Sequence, residues 1–532
     1  MRVDGEVLCM TAIPERTPRE WATQVAQLEQ QVQILQAKVE WFESQLRLAA
    51  QRRFAASQER SDVQQLQLFN EAEAEATPAS EPATETITYE RRKKVPGQRN
   101  AQLAHLPVER RVYELPEAEQ SCTVCHNPLH VMSAEIRREL EVIPAQVKVI
   151  EHVQNVYSCR VCEREALTAS IKTAPMPRPV YPGSLASASL LAEILHQKFT
   201  QGLPLYRQEQ EWARLGVPLS RQTLANWVVY AAHEWLQPLY AQLQSALRER
   251  DILQADETTV QVLDEAGRRA DQKSYMWLYR TGREAPAIVL YDYQPTRSGD
   301  HPKAFLQGFQ GYLHVDGYSG YHDLPDVVLV GCWSHARRKF MEALKSLPAA
   351  QRDGPSFVRE GLDFCNRLFA IERDLREASP EERQRARQTR SRPVLAQFLW
   401  WLREKRHLIL PKSGLGQAVT YCLNQWTPLT NFLRDGRLEI DNNRSERSIK
   451  PFVIGRKAWL FAQTPRGARA SAIAYSIVET AKENGLNPRS YLQYLFEQLP
   501  NRNLQDPAIW ADLLPWSPAL PAALKNPVSK KV

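Results

Sequence analysis

The chain has 532 residues, 43% of them apolar, 13 Trp, and a formal net charge of +7 with a pI near 8.9. That length excludes a single core and implies roughly three or four folding units. No apolar run approaches the roughly 20 residues of a membrane span, the start lacks a basic-then-apolar signal segment, and the modest positive excess is compatible with a nucleic-acid partner.

Residues 18–50 carry an apolar heptad through Val25, Leu28, Val32, Leu35, Val39, Phe42, Leu46 and Ala49. Its alternating steps of three and four are an a/d seam and predict a coiled coil, hence self-association. Residues 71–104 open with an acidic Ala/Pro/Thr-rich tract and continue into the basic run Arg91, Arg92, Lys93 and Lys94. Such a composition cannot bury enough apolar surface to order itself and is expected to be a linker.

Residues 115–165 hold Cys122-x-x-Cys125 and Cys159-x-x-Cys162. Two such knuckles supply four thiolates, a closed tetrahedral set for one structural Zn²⁺ with no open catalytic position. The β-rich stretch between them predicts two strands, so that knuckle, hairpin and knuckle make a zinc ribbon. His126 and His130 are second choices as ligands. Eight cysteines without a secretion signal fit a reducing compartment, and the expected location is the cytoplasm.

Residues 186–236 read as helices. A helix over 205–214 is followed by Gly216 and Pro218, and Ser220 caps a second helix carrying Thr223, Leu224 and Trp227. This is a helix-turn-helix pattern, in which Arg221, Gln222 and Asn226 would meet DNA.

From 250 the pattern changes to strands. ILQADETTVQVL, SYMWLYRTG and AIVLYDY are three successive runs; a helix over 301–308, the run YLHVD, a short helical piece, the strand DVVLVGCW and the basic helix SHARRKFMEALK follow. The order β-β-β-α-β-α-β-α is that of a ribonuclease-H-like fold, whose first and fourth strands are neighbours. That brings Asp256, in the first run, beside Asp316, at the end of the fourth. Glu257 alternates to the opposite strand face. A helix-rich insertion over 340–435 precedes DNNRSERSIKPFVIGRKAWLF, where Asp441 is expected to cap a short helix bearing Glu446 and Pro451 to end it. The stretch beyond, with Arg456 and Lys457, reads as a strand-like turn. Two amphipathic helices close the unit near 490, and in the remainder, 491–532, the Pro-rich tail from about 503 is expected to be loose.

Three carboxylates cannot share a site unless their repulsion is offset. Mg²⁺ or Mn²⁺ does this, and two ions about 3.5–4 Å apart clamp a phosphate undergoing in-line displacement. Asn442, Asn443 and Lys450 lie four and three residues before and four after Glu446, on one helical face, toward such ions and a DNA backbone. Arg337, Arg338 and Lys339 suit phosphate contact just after the fifth strand.

HVDGYSGY, GCWSHARRKF, DNNRSERSIKPFVIGRKAWLF and the EVIPAQVKVIEHV–YSCRVC block, in this order, resemble transposases of the insertion sequence 66 family. The resemblance implies a D-D-E triad, here Asp256, Asp316 and Glu446, in a ribonuclease-H-like catalytic unit over 250–490 of a multidomain α+β chain. It implies a zinc-binding domain ahead of a helix-turn-helix region, and it matches Cys332 and His335 to a Cys-x-x-His signature after the second Asp. It further implies binding to terminal inverted repeats and to target DNA, with possible helper proteins from the same element and no membrane. Two other readings stay open from the residues: an inactive zinc-ribbon and helix-turn-helix DNA-binding protein, and a structure-specific nuclease on the same fold.

Overall fold

The structure, a computed structural model, describes residues 32, 39, 146–157, 172–283, 286–352 and 354–526. The four knuckle cysteines, the linker and nearly all of the heptad lie outside the described residues. Val32 and Val39 are helical and exposed.

The β-branched and aromatic runs form a five-stranded sheet: β1 Ile252–Gln261, β2 Lys273–Thr281, β3 Val289–Gln294, β4 Gly311–Val315 and β5 Val327–Gly331. The spatial order is β3-β2-β1-β4-β5. Short connections make β1–β2 and β2–β3 antiparallel. A longer crossover between β3 and β4 carries the short helix Asp300–Phe305, and it lets β4 run parallel to β1 and to β5. The helical piece after β4 is one 3₁₀ turn, Ser319–Tyr321.

Ahead of the sheet come α1 Ala188–Phe199, α2 Leu205–Arg214 and α3 Arg221–Tyr230. Ser220 caps α3 by accepting from the Thr223 amide. Buried Gln208 of α2 donates to the Ile194 and Leu203 carbonyls and so ties α2 to the end of α1. A six-residue π-helical stretch, Ala231–Leu236, joins α3 to α4 Gln237–Arg248.

After the sheet come α5 Trp333–Ser346, then the insertion helices α6 Phe357–Asp374, α7 Arg392–Arg406 and α8 Gly414–Asn424. The closing helices are α9 Asn443–Trp459, α10 Pro465–Glu483 and α11 Pro488–Gln498. The α10 helix packs on edge strand β3 and satisfies part of its free edge. Ser476 Oγ accepts from the Tyr291 amide at 2.8 Å, and Thr480 Oγ1 bridges the Val289 amide and carbonyl at 3.0 Å each.

One apolar core runs from Val180 through Leu195, Leu224, Trp227, Leu253, Leu290, Ile477 and Leu492 to Leu524. Helices α1–α4 and the sheet therefore share a core. A second core, with Trp333, Phe340, Phe398, Trp401 and Phe432, lies in the insertion and meets β5 at Val330.

Three expectations are corrected. Pro451 does not end its helix: α9 continues through it to Trp459, so Arg456 and Lys457 are helical and not in a strand-like turn. The face bearing Phe452, Val453 and Gly455 is buried, and that packing outweighs the amide hydrogen bond a proline cannot make. The tail is not loose. It forms the helix Ala508–Leu513, buries Trp510, Leu513, Leu520 and Leu524, and pairs Leu486 with Lys525. In the cysteine-flanked stretch, residues 146–155 are exposed and without regular structure, and Val156–Tyr157 pairs with Lys172–Thr173, beyond the second knuckle.

Candidate active site

The register of the central strands positions two carboxylates. Parallel pairing sets Ile252 opposite Tyr312, Leu253 opposite Leu313 and Gln254 opposite His314, an offset of 312 − 252 = 60. Asp256 and Asp316 have the same offset, 316 − 256 = 60, and so stand level just past the last paired residues. On adjacent strands that leaves their side chains about 5 Å apart.

Asp316 begins a tight loop. Its Oδ1 accepts the Gly317 and Tyr318 amides, each at 2.8 Å. Gly317 has φ of +143°, and a Cβ there would come within 3.0 Å of the Tyr421 ring. Tyr421, on insertion helix α8, donates its hydroxyl to the Asp316 carbonyl at 3.2 Å.

Where pairing between β1 and β4 stops, the Ala255 carbonyl is open, and the Asn442 side-chain amide donates to it at 2.8 Å. Asn442, and not the expected Asp441, is the N-cap residue of α9, so this bond docks the helix start beside Asp256, while Asp441 Oδ1 accepts from the Asn443 amide at 3.1 Å. Arg280, buried in β2, holds the next turn by donating to the Arg444 carbonyl at 3.3 Å and to Ser448 Oγ. Glu446 is thereby carried into the interior, only 3% exposed.

The electrostatics follow from this crowding. Burial pushes the Asp256 carboxyl well above its usual range, and Glu257, Glu446 and Asp316 push it further. Burial raises Glu446 to about 7, opposed by Arg338 and reinforced by Asp441 and Asp316. Both Glu446 oxygens are buried without a hydrogen-bond partner. Arg338 and His335 Nδ1 stand 3.7 and 3.6 Å from them. Burial and the neighbouring Arg338 lower His335 to about 4, so its ring is neutral. A buried carboxylate with two unsatisfied oxygens, facing two further carboxylates, is a donor set for a hard divalent cation.

Glu257 serves elsewhere. It accepts from the Tyr321 hydroxyl at 2.7 Å and pairs with Arg297, forming a wall beside the Asp316 loop.

The expected DNA contacts divide. Arg221, Gln222 and Asn226 are exposed on α3, Gln222 donates to Asn226 at 3.1 Å, and the Arg221 amide donates to Glu209 at 2.9 Å. Lys457 is exposed near the end of α9, and Lys450 is half-buried. Lys339 lies 5.0 Å over the Tyr421 ring. Half-buried Arg456 donates to Thr258 and Thr259 of β1. Two expectations are corrected here. Arg337 is buried and donates to Asn366 at 2.8 Å, and Asn443 is buried and donates to Asp441 at 2.8 Å. Each lies on the inward face of its helix, where polar groups bind protein partners. Tyr421, Arg280 and the docking role of Asn442 leave no local signal, because each acts across more than a hundred residues.

Four family models match the chain. They are "Transposase IS66 family" over residues 183–470, "zinc-finger binding domain of transposase IS66" over 119–163, "IS66 C-terminal element" over 476–516 and "Transposase C of IS166 homeodomain" over 41–111. Among similar proteins of Sinorhizobium fredii (strain NBRC 101917 / NGR234), "Uncharacterized protein y4jD" is 33% identical over 427 residues, covering 78% of this chain and 80% of its own. "Uncharacterized protein y4hP" is 30% identical over 427 residues, covering 77% and 74% respectively.

Proposed function

The chain belongs to the IS66 transposase family, and from that premise we propose that it binds the terminal inverted repeats of its element, cleaves the ends and joins them to target DNA. The observation that carries this reading is the level placement of Asp256 and Asp316 on adjacent parallel strands, with Glu446 docked against the same strand end. The strand order β3-β2-β1-β4-β5 supports assigning the sheet to the ribonuclease-H-like fold.

In this reading Asp256, Asp316 and Glu446 hold Mg²⁺ or Mn²⁺, as two ions. Such ions supply positive charge to the scissile phosphate and acidify the attacking hydroxyl. The chain's own residues orient the parts. Tyr421 and the loop amides fix Asp316, Asn442 and Arg280 fix the helix that carries Glu446, and Arg338 favours the ionised form of Glu446 against its burial. Lys339, Lys450 and Lys457 are assigned to the DNA backbone, and Arg221, Gln222 and Asn226 to the inverted repeats. Cys122, Cys125, Cys159 and Cys162 hold one Zn²⁺ in the matched zinc-finger region. Val32 and Val39, exposed and seven apart in helical conformation, support a seam between chains through a coiled coil. The place of action is the cytoplasm, at the nucleoid, with helper proteins of the element as further partners.

The test is charge removal at constant shape. Asp256→Asn, Asp316→Asn and Glu446→Gln are each expected to abolish Mg²⁺-dependent cleavage and joining while binding to element ends is kept. Joining at the parental rate by Glu446→Gln would remove it from the triad. Cleavage by the parent without joining of 3′-hydroxyl ends would assign a nuclease instead.

A further inference from the structure

Glu446 belongs to a second donor set besides the three-carboxylate one. Cys332 is the N-cap residue of α5, directly after β5, and His335 follows it by three residues near the start of the same helix. Glu446 reaches them from α9. The Cys332 sulfur, a His335 ring nitrogen and a Glu446 oxygen all lie within 4.8 Å of one another. The Asn442 amide donates to Cys332 Sγ at 3.2 Å, which fastens this sulfur to the start of α9.

Packing alone does not account for the cluster. Glu446 is 3% exposed and both its oxygens lack a hydrogen-bond partner, as does the buried His335 Nδ1 that faces one of them at 3.6 Å. With its ring hydrogen on Nε2, His335 presents the Nδ1 lone pair beside the Glu446 oxygens, and the two face a common space. A cation relieves that arrangement.

The chemistry of the donors selects the cation. Mg²⁺ prefers oxygen alone, whereas sulfur and imidazole suit Zn²⁺ and its softer relative Cd²⁺. One thiolate, one carboxylate and one neutral imidazole neutralise a 2+ charge and leave a fourth tetrahedral position open.

We propose that Cys332, His335 and Glu446 form a binding site for a borderline or soft divalent cation, Zn²⁺ or Cd²⁺, that competes with the three-carboxylate arrangement for Glu446. As the metal–sulfur bond forms, the thiol proton passes to solvent. Occupancy draws Glu446 toward α5 and away from Asp256 and Asp316, so zinc opposes the Mg²⁺-dependent reaction. That consequence rests on the proposed function; the binding does not.

The full-length chain is dialysed against one fixed free Zn²⁺ concentration, and bound zinc is measured for the parent, Cys332→Ser and His335→Gln. Zinc held elsewhere in the chain is common to all three and cancels in the difference. Each variant is expected to bind about one equivalent less than the parent. His335 has a side chain 23% exposed, so His335→Gln is expected to keep the parental thermal midpoint and to decide the matter even if Cys332→Ser fails to fold. Equal zinc in the parent and a folded His335→Gln overturns the site. A parent with the extra equivalent whose Mg²⁺-dependent cleavage is unaffected by zinc overturns the competition for Glu446. If the parent cleaves no DNA even without zinc, the functional reading fails, and the zinc difference still decides the site.

Discussion

Asp256, Asp316 and Glu446 are crowded carboxylates, and crowding of like charge costs stability until a cation arrives. Mg²⁺ is therefore expected to raise the thermal midpoint of the parent by roughly a few degrees and that of Asp256→Asn by less. An equal Mg²⁺ shift in both would mean the ion binds elsewhere. Asp292, on β3, gives a second prediction at this scale. Burial raises its carboxyl from 3.8 to about 6, against the pull of Gln294 and Arg469. A carboxyl whose folded pKa is raised contributes stability that is fully present below its unfolded value and is lost as pH rises through about 6. Asp292→Asn should then match the parent near pH 4 and exceed it by on the order of 1 kcal/mol at pH 8, read from urea midpoints. A gap independent of pH would refute this. The neighbourhood of the three acids follows from short, strongly patterned segments: Asp256 lies within the first strand, Asp316 just past the end of the fourth and Glu446 in the first turn of α9. Arg337 and Asn443 depart from the expected exposure because polarity does not decide which face of a helix is solvated. Which face of a helix turns inward depends on packing partners distant in sequence, such as Asn366.

Elements were legible where local chemistry decides them. Ser220 names the start of α3, and the prediction there is simple: Ser220→Ala removes the bond to the Thr223 amide and should cost about 1 kcal/mol in unfolding free energy. Elements were illegible where tertiary packing overrides local preference. Pro451 reads as a helix end, yet α9 passes through it because Phe452 and Val453 are buried on the same face. The cost stays in the structure, since the Arg447 carbonyl is left without the amide four residues on. Pro451→Ala restores that amide and should stabilise the chain by about 1 kcal/mol, the gain being reduced by the freer unfolded state. If Pro451→Ala is instead destabilising, the proline ring packs better than the backbone bond would. A stabilised variant with unchanged end binding but slower cleavage would mean that Pro451 helps set Glu446.

At the scale of the molecule, the continuous core is the finding that the segment-by-segment reading could not supply. The sequence suggests separate units for end binding and for chemistry, but α1–α4, the sheet, the closing helices and the tail share one apolar cluster, and only the insertion keeps its own. The C-terminal tail is part of it. Tyr491 of α11 donates its hydroxyl to the Leu513 carbonyl at 2.6 Å, and the Asn487 amide donates to the Leu524 carbonyl at 2.8 Å. The other side of this corner is α1, whose Glu193 pairs with Arg489 of α11. Trp510, Leu513, Leu520 and Leu524 are all buried, and each contributes about 1.5–3 kcal/mol by burial, a sum comparable with the 5–15 kcal/mol that separates folded from unfolded chains. Removal of residues 504–532 is therefore expected to lower the thermal midpoint sharply and to weaken binding to element ends, although no residue assigned to DNA is deleted. Removal of residues 1–60, which carry the heptad, should leave the midpoint of this core unchanged and lower the oligomeric mass in sedimentation. A tail truncation that keeps parental stability and end binding would show that α1 and α11 hold their contact without it, and the tail would then be an appendage to the core.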